Sequence, residues 1–194
     1  MLTTAAHIPV HSWPKLSERS MSRQPSDPAP TLWLDVLGIG SLAILLDRKI
    51  NAPRASAALK RLASKRTRGR IHRAEPLPPI GSFGPPYALV QFGLDEGSGL
   101  LASLGHEGTA AIVRGALCLI GGSNDFFISL AQHGEHVDWE SSMTVVGHVA
   151  EPGLSELVEG RILGLPRHNY THPTFGTQMS MLDTELSCML RLPA

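Results

Sequence analysis

Arg73 and Glu75 share a short β-type run, Ile71-His72-Arg73-Ala74-Glu75-Pro76, that prolines bring to a halt. Alternate residues of a strand share a face. A guanidinium and a carboxylate so spaced can form a plain ion pair. The same arginine can also present N–H donors to a ligand. A second segment, Arg114 to Leu130 (RGALCLIGGSNDFFISL), holds two apolar β-type runs around Gly121-Gly122-Ser123-Asn124-Asp125. Phe126 and Phe127 alternate into Ile128 and Leu130, so one of the two rings belongs to the core whatever the function.

Other clusters carry less. His133-x-x-His136, with Glu135 and Asp138, has metal-like composition but no matching second ligand pair, and no metal is assigned. Gly121-Gly122 is not a phosphate loop, because no GK[ST] follows and its flanks are strands. The basic run from Lys60 to Arg70 lies at and beyond a helix C-terminus, where cations are favoured without any ligand. Cys118 and Cys188 each sit in an apolar run and read as buried free thiols rather than a disulfide framework.

The elements that must position these residues follow from periodicity. Ile39–Leu46 reads as a buried strand. Ala55, Ala58, Leu59 and Leu62 keep helical spacing, so a helix is expected over about residues 52 to 65, with Asn51 as N-cap and Pro53 in its first turn. Strands are expected at Arg70–Ala74, Tyr87–Leu94, Ala110–Val113, Gly115–Ile120, Phe126–Leu130, Thr144–Val149 and Glu185–Leu192. A second helix is expected at Leu154–Leu163, between Pro152 and Gly164. Many short strands with one early and one late helix imply a mainly β fold, a closed antiparallel barrel capped by two α-helices.

Composition bounds the rest. The 194 residues are 42% hydrophobic and support one core. Lys+Arg 17 balances Asp+Glu 17, which excludes a global field for nucleic acid or an anionic membrane. The polar, proline-rich stretch Ser20 to Pro30 cannot offset its chain entropy by burial. Residues 1–36 are therefore read as a disordered, targeting or anchoring segment, and 37–194 as the folded domain. Leu32 to Leu46 is the one candidate membrane segment. It is short of the roughly 20 apolar residues a span needs and contains Asp35, so membrane association is not the favoured reading. The compartment stays open between soluble intracellular and organellar.

The order of these motifs resembles the cyclophilin family, over about residues 38 to 192. The resemblance rests on the helix led by Ala52-Pro53, the Ile71-His72-Arg73 strand, Tyr87-Ala88-Leu89-Val90-Gln91, Phe126-Phe127-Ile128 and Thr144-Val145-Val146-Gly147-His148-Val149. IHRAEP, GPPYALVQ and GGxxxFFISL look like a divergent plant or algal branch. The resemblance implies peptidyl-prolyl cis-trans isomerisation of X–Pro bonds in polypeptides, assisting protein folding, with no cofactor. It makes Arg73 the arginine that donates to the twisting amide. Phe127 becomes a wall of the proline pocket, Gln91 the binder of substrate backbone, and Leu89 and Trp139 further substrate contacts. Proline-containing polypeptides and cyclosporin-type ligands are the implied partners. The chain departs from the family at Ala88 (usually phenylalanine), Leu89 (methionine), Ile120 (asparagine) and Met143 (near the pocket histidine). A proline-peptide binding or scaffold module without turnover is the alternative.

Overall fold

The computed structural model describes residues 31–46, 52–79, 86–95, 98–133 and 142–194. Its strands are β1 (Leu32–Val36), β2 (Gly40–Leu45), β3 (Arg68–Glu75), β4 (Leu89–Leu94), β5 (Ala116–Ile120), β6 (Asp125–Ser129), β7 (Met143–Val149), β8 (Arg167–Thr171) and β9 (Gln178–Arg191). Two α-helices accompany them, α1 (Pro53–Ser64) and the short α2 (Ser98–Ala102). The sheet runs β1-β2-β7-β5-β6-β4-β3-β9, every neighbour antiparallel, and β1 returns to pair with β9. Eight strands therefore close a barrel, while β8 hangs outside it on β9. The mainly β, closed antiparallel barrel expected from the strand pattern is what the chain forms.

Several boundaries move, for physical reasons. The apolar run Leu32 to Leu46 is two strands, not a span with one strand. Gly38, at φ +76°, turns the chain, and Asp35 faces Ser41 across the resulting hairpin. The barrel thus begins at Leu32, and the boundary drawn at residue 37 cuts off its first strand. Among the described residues no helix is long and apolar enough to cross a membrane. The expected second helix is a π-helical turn, Leu154–Glu159, followed by a 3-10 turn, Ile162–Gly164. Residues 110–113 contribute only an isolated bridge, Ile112 to His133.

Helix α1 buries Ala55, Ala58, Leu59, Leu62 and Ala63, the stripe its spacing implies. Asn51, expected as its cap, lies outside the described residues. The cap function falls to Glu107, far away in sequence. Its carboxylate accepts the backbone N–H of Ala55 at 2.8 Å and of Arg54 at 3.3 Å, and the Arg54 side chain at 2.7 Å. Burial pushes this carboxyl upward, but those hydrogen bonds outweigh it and hold it below the usual carboxylate range.

The barrel interior is packed with Leu34, Leu42, Ile71, Val90, Phe92, Leu117, Leu119, Phe126 and Ile128, all nearly inaccessible. Phe92 and Phe126 are cross-strand partners and stack at 5.4 Å between centroids. The β1–β9 seam is fastened by Arg191, whose Nε and Nη2 donate to the two carboxylate oxygens of Asp35 at 2.6 and 3.1 Å. The same guanidinium lies over the Trp33 ring, 5.6 Å from its centroid. That pairing holds the Asp35 carboxyl below its ordinary range.

Candidate functional site

The site is organised by a register break in β3. Ile71 pairs with Phe92 of β4, yet Arg73 pairs with Gln91, so His72 is an extra residue. A bulge of this kind re-aims the side chains beyond it. Without it Arg73 would share the face of Ile71 and point into the apolar interior. With it, Ala74 turns inward and is fully buried, while Arg73 and Glu75 join the outer wall.

On that wall one cross-strand row passes through five strands. Arg73 opposes Gln91, Gln91 opposes Phe127, Phe127 opposes Cys118, and Cys118 opposes Val145. Directly opposed residues of an antiparallel pair share a face. The row therefore runs from a cationic end to an apolar end. Neighbouring strands lie about 4.8 Å apart, so the Arg73 and Phe127 backbones are about 10 Å apart, roughly the span of a dipeptide with its side chains.

The polar end is tightly bonded. Arg73 Nε donates to Glu75 Oε1 at 2.8 Å, and its Nη1 donates to Gln91 Oε1 at 3.1 Å. Gln91 Nε2 donates in turn to Asp125 Oδ2 at 2.9 Å, and His72 Nε2 lies 4.0 Å from the same oxygen. Glu75 is wholly inaccessible and also accepts the backbone N–H of Tyr87 at 2.6 Å and of Ser180 at 3.1 Å. Buried carboxylates persist only when so partnered. The Tyr87 ring lies beside the guanidinium, 5.9 Å from centroid to Cζ. Gly93 opposes Asp125, and a Cβ there would come within 2.5 Å of Asp125 Oδ1. Its missing side chain leaves the room that Asp125 needs to reach Gln91.

The apolar end is closed. Phe127 is 1% exposed and Leu89 3%; Leu89 stands opposite both Glu75 and Ser129. Burial pushes the Cys118 thiol far up, so it is an inert neighbour of Phe127 rather than a nucleophile. Ile120 and Met143, where the cyclophilin resemblance would place polar residues, are cross-strand partners of each other. Both pack against the core, so the rim is apolar as a unit.

The fold brings Arg73, Gln91, Phe127 and Leu89 onto one wall. Trp139, His136, Glu135 and Asp138 lie outside the described residues, and no group of metal-ligating side chains forms among the described ones. Ala88 is a fully buried linker at φ +51°, its N–H bonded to Pro76 O and its carbonyl to Leu130 N. Glu75 takes the ion-pair role that its spacing from Arg73 allowed, and Asp125 is the member that the sequence left unassigned. Its signal is parity: it lies two residues from Phe127, and so shares its face.

No family model matches this chain, and no curated protein does. Among solved structures, that of McbB in complex with tryptophan is similar, with a TM-score of 0.51 at 11% identity. The likeness covers 84% of this chain but 45% of that one, so this chain spans less than half the length of its neighbour. At that identity the likeness concerns the fold alone.

Proposed function

We propose that this chain is a cyclophilin-type peptidyl-prolyl cis-trans isomerase with a slow turnover. The single observation that carries the reading is the row in which Arg73, bonded to Gln91, is joined through that glutamine to Phe127. Isomerisation of an X–Pro bond needs no covalent chemistry. The barrier of about 18–20 kcal/mol is amide resonance, and anything that binds the twisted amide better than the planar one lowers it. Nε and one Nη1 hydrogen of Arg73 are committed to Glu75 and Gln91. The remainder of the fork is left for the amide. Gln91 orients the guanidinium, and the proline ring goes to the apolar end beside Phe127.

A second reading, peptide binding without turnover, is favoured by one observation: Glu75 already neutralises Arg73, the donor that turnover needs. In either reading a proline ring must displace neighbours to reach Phe127, which is 1% exposed.

An isomerase assay on an Ala-Pro peptide separates the two. The protein should accelerate isomerisation, and Arg73→Lys, which keeps the charge but loses the planar fork, should lower the rate at least about tenfold with circular dichroism unchanged. Peptide binding with no acceleration would replace the isomerase by the binding module. No binding of either the peptide or cyclosporin would leave the barrel as a scaffold.

A further inference from the structure

Beyond the Arg73 wall, strand β8 presents an edge that the barrel does not use. Among the described residues it pairs only with β9, and its residues from His168 to Thr171 are exposed. The ladder phase decides which of its main-chain groups are free. His172 N–H donates to Thr177 O at 2.9 Å, and Asp183 N–H to Pro166 O at 3.1 Å. Pairs alternate along an antiparallel ladder. The even residues 166 to 172 therefore bond to β9, while the N–H and C=O groups of Arg167, Asn169 and Thr171 point away from it. Among the described residues these groups have no partner.

The same edge borders a cavity of about 480 Å³. Arg167 and Asn169 line one side of it, and Glu75, Pro76, Pro86 and Ser180 the others. Its electrostatics lean one way. Residues 165–182 contain no Asp or Glu and carry Arg167, His168 and His172. Asp183 answers His168 at 2.9 Å. Arg167 Nη1 donates only to the neutral carbonyl of Ala74, at 3.3 Å, and keeps its charge unmatched among the described residues. The carboxylate of Glu75 is already met by Arg73 and two backbone N–H groups.

We infer that β8 is a docking edge for an extended acidic peptide segment, which adds to the sheet as a further strand and places a carboxylate side chain in the cavity beside Arg167. Main-chain hydrogen bonds supply affinity in this mode, and the side-chain pocket supplies selectivity. The cavity shares Glu75 with the Arg73 wall, but the docking edge uses neither Arg73 nor Phe127.

The test uses the full chain and proline-free fluorescent peptides, Val-Glu-Val-Glu-Val-Glu and Val-Lys-Val-Lys-Val-Lys, read by polarisation. The acidic peptide should bind at least about tenfold more tightly than the basic one. Asn169→Pro removes an outward N–H without touching the β8–β9 ladder, and should weaken the acidic peptide about fivefold. Arg167→Glu should weaken it about tenfold or more. The thermal melt of Asn169→Pro should match the parent, since that side chain is exposed. Arg167→Glu gives up the half-buried guanidinium's bond to Ala74 O, and should melt somewhat lower but as cooperatively. No acidic-peptide binding at millimolar concentration overturns the inference, as does equal binding of the two peptides. Loss in Arg167→Glu alone reduces the edge to a charged patch, and loss in Asn169→Pro alone removes the acidic preference; either result overturns it. A dimer that disappears in Asn169→Pro overturns it in favour of self-pairing between copies.

Discussion

Ile71 and Arg73 lie two residues apart on one strand and face opposite sides of the barrel wall, Ile71 against Phe92 and Arg73 against Gln91. The inserted His72 between them is what turns an otherwise core-directed arginine outward. The polar end of the candidate site therefore rests on a backbone irregularity as much as on side-chain identity.

That end should be costly to dismantle. Glu75→Ala removes the partner of a guanidinium whose side chain is 10% exposed, and leaves the N–H groups of Tyr87 and Ser180 unmet. Breaking such a buried pair costs about 3–5 kcal/mol. Urea unfolding should show a loss of this size for Glu75→Ala and a smaller one for Glu75→Gln, which keeps an acceptor. Equal stability of all three proteins would contradict the hydrogen-bonded buried carboxylate.

The seam gives a pH dependence with a definite sign. The Arg191 side-chain hydrogen bond is the main cause that lowers the Asp35 carboxyl, with Ser41 adding to it against burial. A carboxyl depressed in the folded state contributes stability above its unfolded value, near 3.9, and loses it as pH falls through the folded one. Glu107 is depressed as well and acts in the same direction. Acid titration followed by tryptophan fluorescence should show destabilisation beginning below about pH 5. Asp35→Asn should be less stable at neutral pH and show a flatter acid limb.

Ala88 is expected to reject the phenylalanine that the cyclophilin resemblance would put there. The site is fully buried and left-handed, so a bulky ring meets both crowding and backbone strain. Ala88→Phe should lose at least about 2 kcal/mol by chemical denaturation. Ala88→Gly should stay within about 1 kcal/mol of the parent, since relief at positive φ offsets one lost methyl. A gain in stability with phenylalanine would show a vacant pocket at this point.

Both thiols should be silent in the native protein. Burial pushes Cys118 far up and Cys188 to about 12, the latter with help from Asp95. A disulfide-exchange reagent at pH 8 should label neither until denaturant is added, then both. Rapid labelling of either in buffer would place that thiol at the surface.

Much of this fold could be read from alternation and helical spacing. Residues 40–45, 116–120, 125–129 and 143–149 and the helix at 53–64 fall close to their expected limits. Three features escaped. The split of Leu32 to Leu46 depends on the conformation of one glycine turn, which an apolar run does not encode by itself. The β8–β9 hairpin is polar along Arg167-His168-Asn169-Tyr170-Thr171, so it lacks the buried stripe that marks a strand. The His72 bulge leaves no compositional trace, because it is a property of pairing. It also decides which way Arg73 points, and so the candidate site was legible in its residues but not in its geometry.

The Asp35–Arg191 clasp joins residues 156 positions apart. On a ribosome, the first strand must therefore wait, with one edge unpaired, until the 156 positions that separate it from its partner have been synthesised. Loop closure over such a separation is entropically slow, so the nascent barrel spends its synthesis as an open, sticky sheet. A circular permutant that fuses the ends of β1 and β9 and opens the chain at the exposed 172–177 turn would let that seam form locally. Its faster refolding would measure how much of the folding time the native chain order imposes.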